Sequence, residues 1–327
     1  MIALTIDRGN ILVDIVSTVR NYKGLRRKAP IGMTLPMFKS MYDYVIAAKG
    51  EDAAIIRSGD RTLAFAADGI IDELVDIDPR WAGYCSVLVN VNDILAMNGR
   101  PLAAVNVISF KDASVLRELV KGVCDACRKF SVPMVGGHLH PDAEGESISV
   151  AMLGEIPGGK PLLSDSSRPG DLVIAICDCK GHFTPGIPYS WDCTSGKSQS
   201  TIKRNIEHLL NAMSFLTAGK DISNPGILGT LAMLLEASGV GATVDIERIP
   251  LPEGVDLLQW LTAYQGFGFI GTIRRKNVAR AQEALEGTGI SVSVIGDITA
   301  ERELNVHMGG RQKLLFDLSK EKITGLF

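Results

Sequence analysis

The chain has 327 residues, 46% of them hydrophobic, enough to bury a large core and to make two domains of ordinary size. Lysine and arginine (34) nearly balance aspartate and glutamate (37), and the formal charge of −3 argues against a general nucleic-acid-binding surface and for a small-molecule substrate. No apolar run reaches the roughly 18 residues of a membrane span, MIALTIDRGN lacks a basic region ahead of an apolar stretch, and six cysteines are too few for a disulfide framework, so a soluble cytoplasmic protein is expected.

Residues 11–21 read as a helix, and the basic, Pro- and Gly-bearing segment from Tyr22 to Pro36 reads as a mobile loop. Residues 52–58 and 61–68, joined across Gly59-Asp60, read as a hairpin in which Leu63, Phe65 and Ala67 alternate. Trp81 to Met97 is a largely apolar helix with its stop at Gly99 and Pro101 behind it. Strand 102–110, helix 113–130 and strands 132–136 and 147–155 complete a first α/β domain, residues 1–157. The turn-rich stretch Gly158 to Gly170 marks the boundary. The second domain, 158–327, holds a strand at 171–177, a polar loop at 180–200, helices at 201–217 and 226–238, and strands at 241–246 and 267–274. A helix at 276–286 and strands at 290–297, 303–307 and 312–316 finish it. Cys124 and Cys127 share an apolar helix face with Val120 and Val123, and read as small buried hydrophobes rather than zinc ligands.

Chemistry enters with polar residues in apolar settings. Ser86, Asn90 and Asp93 lie at i, i+4 and i+7 on one face of the 81–97 helix. A buried carboxylate needs a cation or several donors; alone, Asp93 reads equally well as a hydrogen-bonded core aspartate. Asp52 and Asp68 project from the same edge of the hairpin ribbon, and with Asp93 they could surround a hard cation such as Mg²⁺, which takes oxygen ligands and shares them with phosphates. Each of the three alone is more readily a turn or cap residue, so the inference rests on their joint appearance. Ser223 or Asn224 can cap a helix whose first turn contains Pro225, with Gly226 leaving the approach open to an anion. Gly136-Gly137 lets backbone approach a ligand closely. Ordinary capping and turning is the alternative for both. Gly196-Lys197-Ser198 looks like the tail of a P-loop, but Trp191 stands where the first glycine is required and no apolar strand leads in. His138, His140 and Asp142 would share one side of an extended segment and could form a two-histidine, one-carboxylate transition-metal set, or serve as loop hydrogen-bond partners.

In their order along the chain these segments resemble the aminoimidazole ribonucleotide synthetase-like superfamily, which includes thiamine-monophosphate kinase, selenophosphate synthetase and a hydrogenase maturation protein. Gly50-Glu51-Asp52-Ala53-Ala54 is similar to the kinase's Gly-Asp-Asp-Ala-Ala, and Asn90-Val91-Asn92-Asp93-Ile94-Leu95-Ala96-Met97 to its Asn-x-Ser-Asp-x-x-Ala-Met. Asp68 matches a strand-end Asp, Gly136-Gly137 a Gly-Gly pair, and Asp221-Ile222-Ser223 an Asp-Ile-Ser. The resemblance spans residues 45 to 300 or so. It implies ATP bound through several Mg²⁺ ions at a homodimer, with an N-terminal mixed sheet contributing to a β-barrel shared between subunits and a C-terminal layered α/β domain. By the same resemblance Asp52, Asp68, Asp93 and Asp221 hold metals, and Asn90, Gly136, Gly137 and Ser223 orient phosphates or ligands. Lys23, Arg26, Arg27 and Lys28 could close over the triphosphate, although composition alone suggests a solvated basic loop.

The departures narrow the activity. His138 stands where the kinase has Asp after Gly-Gly, leaving a metal ligand or a base, and Asn224 replaces another Asp. The kinase's Glu-Asp-Tyr-Glu strand corresponds to Gly266-Phe267-Gly268-Phe269-Ile270-Gly271, and the first cysteine is Cys85, so neither thiamine phosphate nor selenide is an expected substrate. The forms around His138 and Asn224 look most like a branch called methanogenesis marker 2 or, more loosely, synthetase-related proteins. Expected is Mg-ATP-dependent phosphoryl transfer to a small-molecule oxygen, or its activation, with Asp93 central. The alternatives are a transition-metal enzyme built on His138, His140 and Asp142, and a non-catalytic ATP-binding assembly protein.

Overall fold

A computed structural model of the chain describes residues 8–38, 42–47, 50–266 and 268–326. Ahead of the first sheet lie α1 (Arg8–Asn21), α2 (Lys23–Arg26) and α3 (Ile31–Thr34). The basic segment expected as a mobile loop is thus partly helical, and it is packed. Gly24 lies so close to the Asn224 carbonyl oxygen that no side chain would fit, and the Gly32 N–H donates to the Thr324 carbonyl at 2.8 Å. Glycine makes both backbone approaches possible.

The first sheet contains β1 (Val45–Ala47), β2 (Ala54–Ser58) and β3 (Arg61–Gly69), then, past α4 (Asp72–Ile77) and α5 (Pro79–Ala96), β4 (Arg100–Ser109). After α6 (Ala113–Phe130) come β5 (Met134–His140) and β6 (Ser147–Glu155). The strand order is β1-β2-β3-β6-β4-β5, with only β4 and β5 parallel. Alternation gives the sheet two faces. Ala64, Ala66, Ile148, Val150 and Met152 are buried toward the helices, whereas Phe65, Val105 and Val107 stand exposed on the other side. The 132–136 strand of the sequence reading is displaced toward the C-terminus, so Gly136-Gly137 lie within β5 and not at a strand end.

Helix α5 is apolar on almost every side because the sheet covers one flank and α6 the other. Asp78 caps it, accepting from the Trp81 N–H at 2.9 Å, and Pro79 occupies the first turn, where no N–H is required. A side chain added at Gly83 would collide with the Leu119 carbonyl oxygen, and one at Gly122 with that of Arg80, so the two helices cross backbone against backbone. The left-handed residue that ends α5 is Asn98 (φ 59°), one position before the expected Gly99. On α6 the buried face is Leu119, Gly122, Val123, Ala126 and Phe130; Cys127 is half-buried, but Cys124 is exposed, contrary to the apolar-face reading.

The second sheet is built from β7 (Leu172–Cys177), then, after the short pair β8 (His182–Phe183) and β9 (Trp191–Asp192) and helix α7 (Gln199–Met213), β10 (Leu216–Asp221). It continues through α8 (Gly226–Ser238), β11 (Gly241–Asp245), α9 (Leu257–Leu261), β12 (Gly268–Ile273), α10 (Val278–Ala284), β13 (Ser291–Thr299), β14 (Glu303–Met308) and β15 (Arg311–Asp317). The order is β10-β12-β7-β13-β11-β14-β15. The helix expected at 201–217 ends at Met213, and the chain returns as edge strand β10, antiparallel to β12 with Asp221 opposite Phe269. Tertiary pairing outweighs local helix propensity here. Phe267, where the sequence reading starts the next strand, lies outside the described residues.

Helix α8 has no side-chain cap. Pro225 precedes it, and Gly226 (φ 70°) is packed under the Leu261 carbonyl, so the expected Ser/Asn cap with an open glycine is not formed. Buried Glu236 of α8 accepts from the N–H groups of Ile323 and Thr324 at 2.9 Å each and from the Thr324 hydroxyl at 2.6 Å. Both sheets are open within one chain, with no closed barrel among the described residues. No helix among these residues is long and apolar enough to cross a membrane.

Candidate active site

Three aspartates from distant parts of the sequence meet where the two sheets come together. Asp52 lies just ahead of β2, Asp93 in the last turn of α5 and Asp221 at the end of β10; one carboxylate oxygen from each lies within 4.8 Å of the others. Among the described residues this is the one group of three metal-ligand side chains so arranged. The Lys220 ammonium pairs with Asp52 Oδ1 and donates to the Gly50 carbonyl at 3.2 Å, and the Asp221 N–H donates to Asp52 Oδ2 at 3.1 Å. Glu51, next to Asp52, accepts the Ser164 N–H at 2.9 Å.

Crowding these acids together in a poorly solvated place shifts their protonation. Burial, then the charges of Asp68, Asp221 and Asp52, pushes the Asp93 carboxyl well above the usual carboxylate range, with Lys220 acting against them. Burial and Asp52 raise Asp221 to about 8, against the pull of Lys220 and Lys28. Glu51 is raised to about 7, first by burial. Asp68, exposed at the rim, is raised too: crowding by protein atoms outweighs the attraction of Lys28, and Asp52 adds to the rise. Burial works against the Lys220 ammonium, but Asp52, Glu51 and Asp221 more than offset it.

A cavity of about 80 Å³ opens beside the cluster, and Lys28, Asp68, Asn92, Asp221, Ser223 and Gln265 are in its wall. It admits an ion or a phosphate group but is far smaller than the several hundred Å³ of a typical whole-ligand pocket. The Asn92 amide donates to the Gly266 carbonyl at 2.7 Å, which leaves its Oδ1 buried without a donor; Gln265 Oε1 is likewise unpartnered, on a residue held at φ 65°. Clefts of about 570 and 600 Å³ lie elsewhere, between α5, α6 and the start of α7 and beside α10, without such a cluster.

Of the residues singled out in the sequence, Asp52, Asp93 and Asp221 come together, with Asp68, Ser223 and Lys28 at the cavity. Asn90 is fully buried in α5, donating to the Ser86 carbonyl at 2.9 Å with its Oδ1 unpartnered. Lys23 opens α2 and Arg27 follows its end, both outside the residues that wall the cavity. Gly136, Gly137 and His138 are on edge strand β5. Gly137 pairs with Asn106, Asn106 with Val150 and Val150 with Asp68, so three strand spacings, roughly 14 Å along the sheet, separate them from Asp68. The chain therefore does not itself carry His138 to the aspartates. Rings of His138 and His140 lie 4.5 Å apart, but Asp142 lies past the end of β5 in a left-handed turn (φ 64°), and the three do not form a ligand group. Lys197 of the false P-loop pairs with Asp178, and Ser198 caps α7. Sequence reasoning missed Lys220, Asn92 and Gln265. The available signals were a lysine beside Asp221 in an otherwise uncharged stretch and the place of Asn92 within the motif that carries Asp93.

The AIR synthase related protein N-terminal domain model matches residues 50–156, and the C-terminal domain model of the same family matches residues 197–309. The chain belongs to the AIR synthase related family. An uncharacterised protein of Methanocaldococcus jannaschii is 40% identical over 321 residues, 96% of this chain and 99% of its own. A selenide, water dikinase of Myxococcus xanthus is 25% identical, with 76% of this chain and 83% of the relative covered. A thiamine-monophosphate kinase of Buchnera aphidicola is 26% identical, with 83% and 90% covered. The fold matches T. maritima PurL complexed with FGAR at a TM-score of 0.75 and 17% identity, over 96% of this chain and 55% of that one. It matches AaThiL complexed with AMPPCP and TMP at 0.60 and 18%, over 80% and 88%. The chain thus spans about half the length of the PurL chain it matches.

Proposed function

We propose that this protein binds ATP with Mg²⁺ and transfers its terminal phosphoryl group to an oxygen of a small-molecule acceptor, as an end in itself or to activate that oxygen. The observation that carries the reading is the convergence of Asp52, Asp93 and Asp221 from both halves of the chain beside a phosphate-sized cavity. The donor set fits a hard divalent cation: carboxylates, with the unpartnered Asn92 amide oxygen in the neighbouring wall, and no sulfur or imidazole. Such a cation, when bound, supplies charge neutralisation and alignment of phosphate oxygens. Dikinase and kinase relatives and the nucleotide analogue in the AaThiL structure support the choice of ATP.

The chain's own groups then have definable tasks. Burial and mutual repulsion favour the protonated forms of Asp93 and Asp221, and a cation held between them would favour the ionised forms instead. Lys28, at the cavity between α2 and α3, faces Asp68 and Asp221 and is placed to meet a phosphate oxygen. Asn92 Oδ1 and Gln265 Oε1, both unpartnered acceptors, would meet a cation or its bound water in the cavity.

The open face of the first sheet supports a homodimer. Phe65 on β3, Val105 and Val107 on β4 and Val135 on β5 are large apolar side chains left exposed on the sheet, with β6 between β3 and β4, and a surface of that kind marks an interaction site. A second copy laid on it would complete a shared barrel, and His138, in register with Val107, would enter that interface. Any part His138 plays at phosphate or metal runs through the second copy.

Calorimetric titration with AMPPCP tests the reading. Binding in Mg²⁺ that disappears in EDTA is expected; binding of equal strength in EDTA, or none in either, would reject it.

A further inference from the structure

One positive charge is already built into the aspartate cluster. Lys220 lies on β10 with 2% of its surface exposed, its ammonium against Asp52 Oδ1 and bonded to the Gly50 carbonyl at 3.2 Å. Asp52 has both oxygens occupied by this chain, Oδ1 by Lys220 and Oδ2 by the Asp221 N–H at 3.1 Å. Among the described residues Asp93 has no such ammonium of its own, and Asp221 spends its backbone N–H on Asp52. Lysine is a compact point charge on a long stem, and this one is fixed at both ends by strand and ion pair.

We propose that the Lys220 ammonium occupies the place of one divalent cation in the cluster. Asp52 is neutralised by the chain itself, and Asp93 and Asp221, with Asp68 at the rim, are left to hold the ion that accompanies phosphate. This rests on the metal–phosphate reading above and deepens it: the site takes one ion fewer than its carboxylates would otherwise draw in. Lys220 is a positioning residue, holding Asp52 ready without a metal. A divalent ion cannot share the space while the ammonium is there, and like charge weakens binding nearby.

The test counts Mn²⁺ by electron paramagnetic resonance titration and by calorimetry, on the whole chain, for wild type, Lys220→Gln and Lys220→Ala. Glutamine keeps the volume and removes the charge, so Mn²⁺ should bind roughly tenfold tighter. Alanine vacates the space, so that variant should bind one more Mn²⁺ per chain than wild type, melt lower in EDTA and recover on adding Mn²⁺. A merely structural lysine would lower the melting temperature without changing ion count or affinity, and that result overturns the proposal. Should Lys220→Ala stay unfolded with and without Mn²⁺, the glutamine variant decides: unchanged affinity overturns, tighter binding supports. Wild type that binds no Mn²⁺ with AMPPCP present, while the variants gain an ion, would reject the phosphoryl-transfer reading and leave the lysine's role standing.

Discussion

Two clusters that the sequence marks as possible metal sites have opposite surroundings. Asp52, Asp93 and Asp221 are walled in where the second half of the chain closes on the first, and β10 delivers one acid and one ammonium into that space. His138 and His140 stand on edge strand β5, exposed on a sheet face that no described residue covers. What distinguishes them is enclosure. Acids forced together away from water have raised pKa values and a strong call for a cation, whereas rings on an open face acquire a task only from whatever lands there.

The largest expected effect comes from removing one of the enclosed charges. Asp93→Asn should weaken Mn²⁺ binding at least about a hundredfold, since even the groups behind metal ligands are worth ten- to a hundredfold. In EDTA the same variant should melt higher than wild type, because a repelling acid has gone. Loss of metal binding together with a lower melting temperature in EDTA would place Asp93 in the structural core alone. On the open face, Val107→Glu puts an unpaired charge among the exposed apolar side chains and should weaken self-association at least about tenfold by sedimentation, with the monomer's melting temperature unchanged. Equal association in wild type and variant would remove that face from the dimer. The smallest effect is on pH dependence. Asp221 titrates at about 8 in the folded chain against 3.8 ordinarily, so its contribution to stability is complete below about 4 and is lost as pH rises through about 8. Melting in EDTA should fall by a few degrees between about pH 6 and pH 8.5, and Mg²⁺ should abolish the fall; a flat profile in EDTA would contradict the crowding of charge.

Much of this was legible in the sequence, because local pattern decides it. The hairpin around Gly59 and the helices α5 and α6 follow from alternation and helical period, and so does the polar stripe that singled out Asp93. Motif order supplied Asp52, Asp68 and Asp221. Residues 214–221 failed for the opposite reason: Leu216 to Asp221 is a strand only because β12 is there to pair with it, and without that strand Lys220 has no visible destination. Asn92 and Gln265 were missed on similar grounds. Asn92 was visible as part of a motif, but its unpartnered oxygen arises only when its amide is taken by Gly266, 174 positions away. Gly226 was misjudged because an open approach and a tight squeeze under Leu261 both call for glycine.

The Glu236 carboxylate has an effect far from its own helix. It fastens Ile323 and Thr324, Thr324 in turn receives the Gly32 N–H, and Arg20 reaches Glu321 at 2.7 Å, so the first and last described segments are buckled together. Lys28 sits inside that loop of contacts. Trimming the chain after residue 320 would therefore slacken the strap that carries Lys28 to the cavity beside the aspartates, an injury delivered at one extremity and felt at the centre.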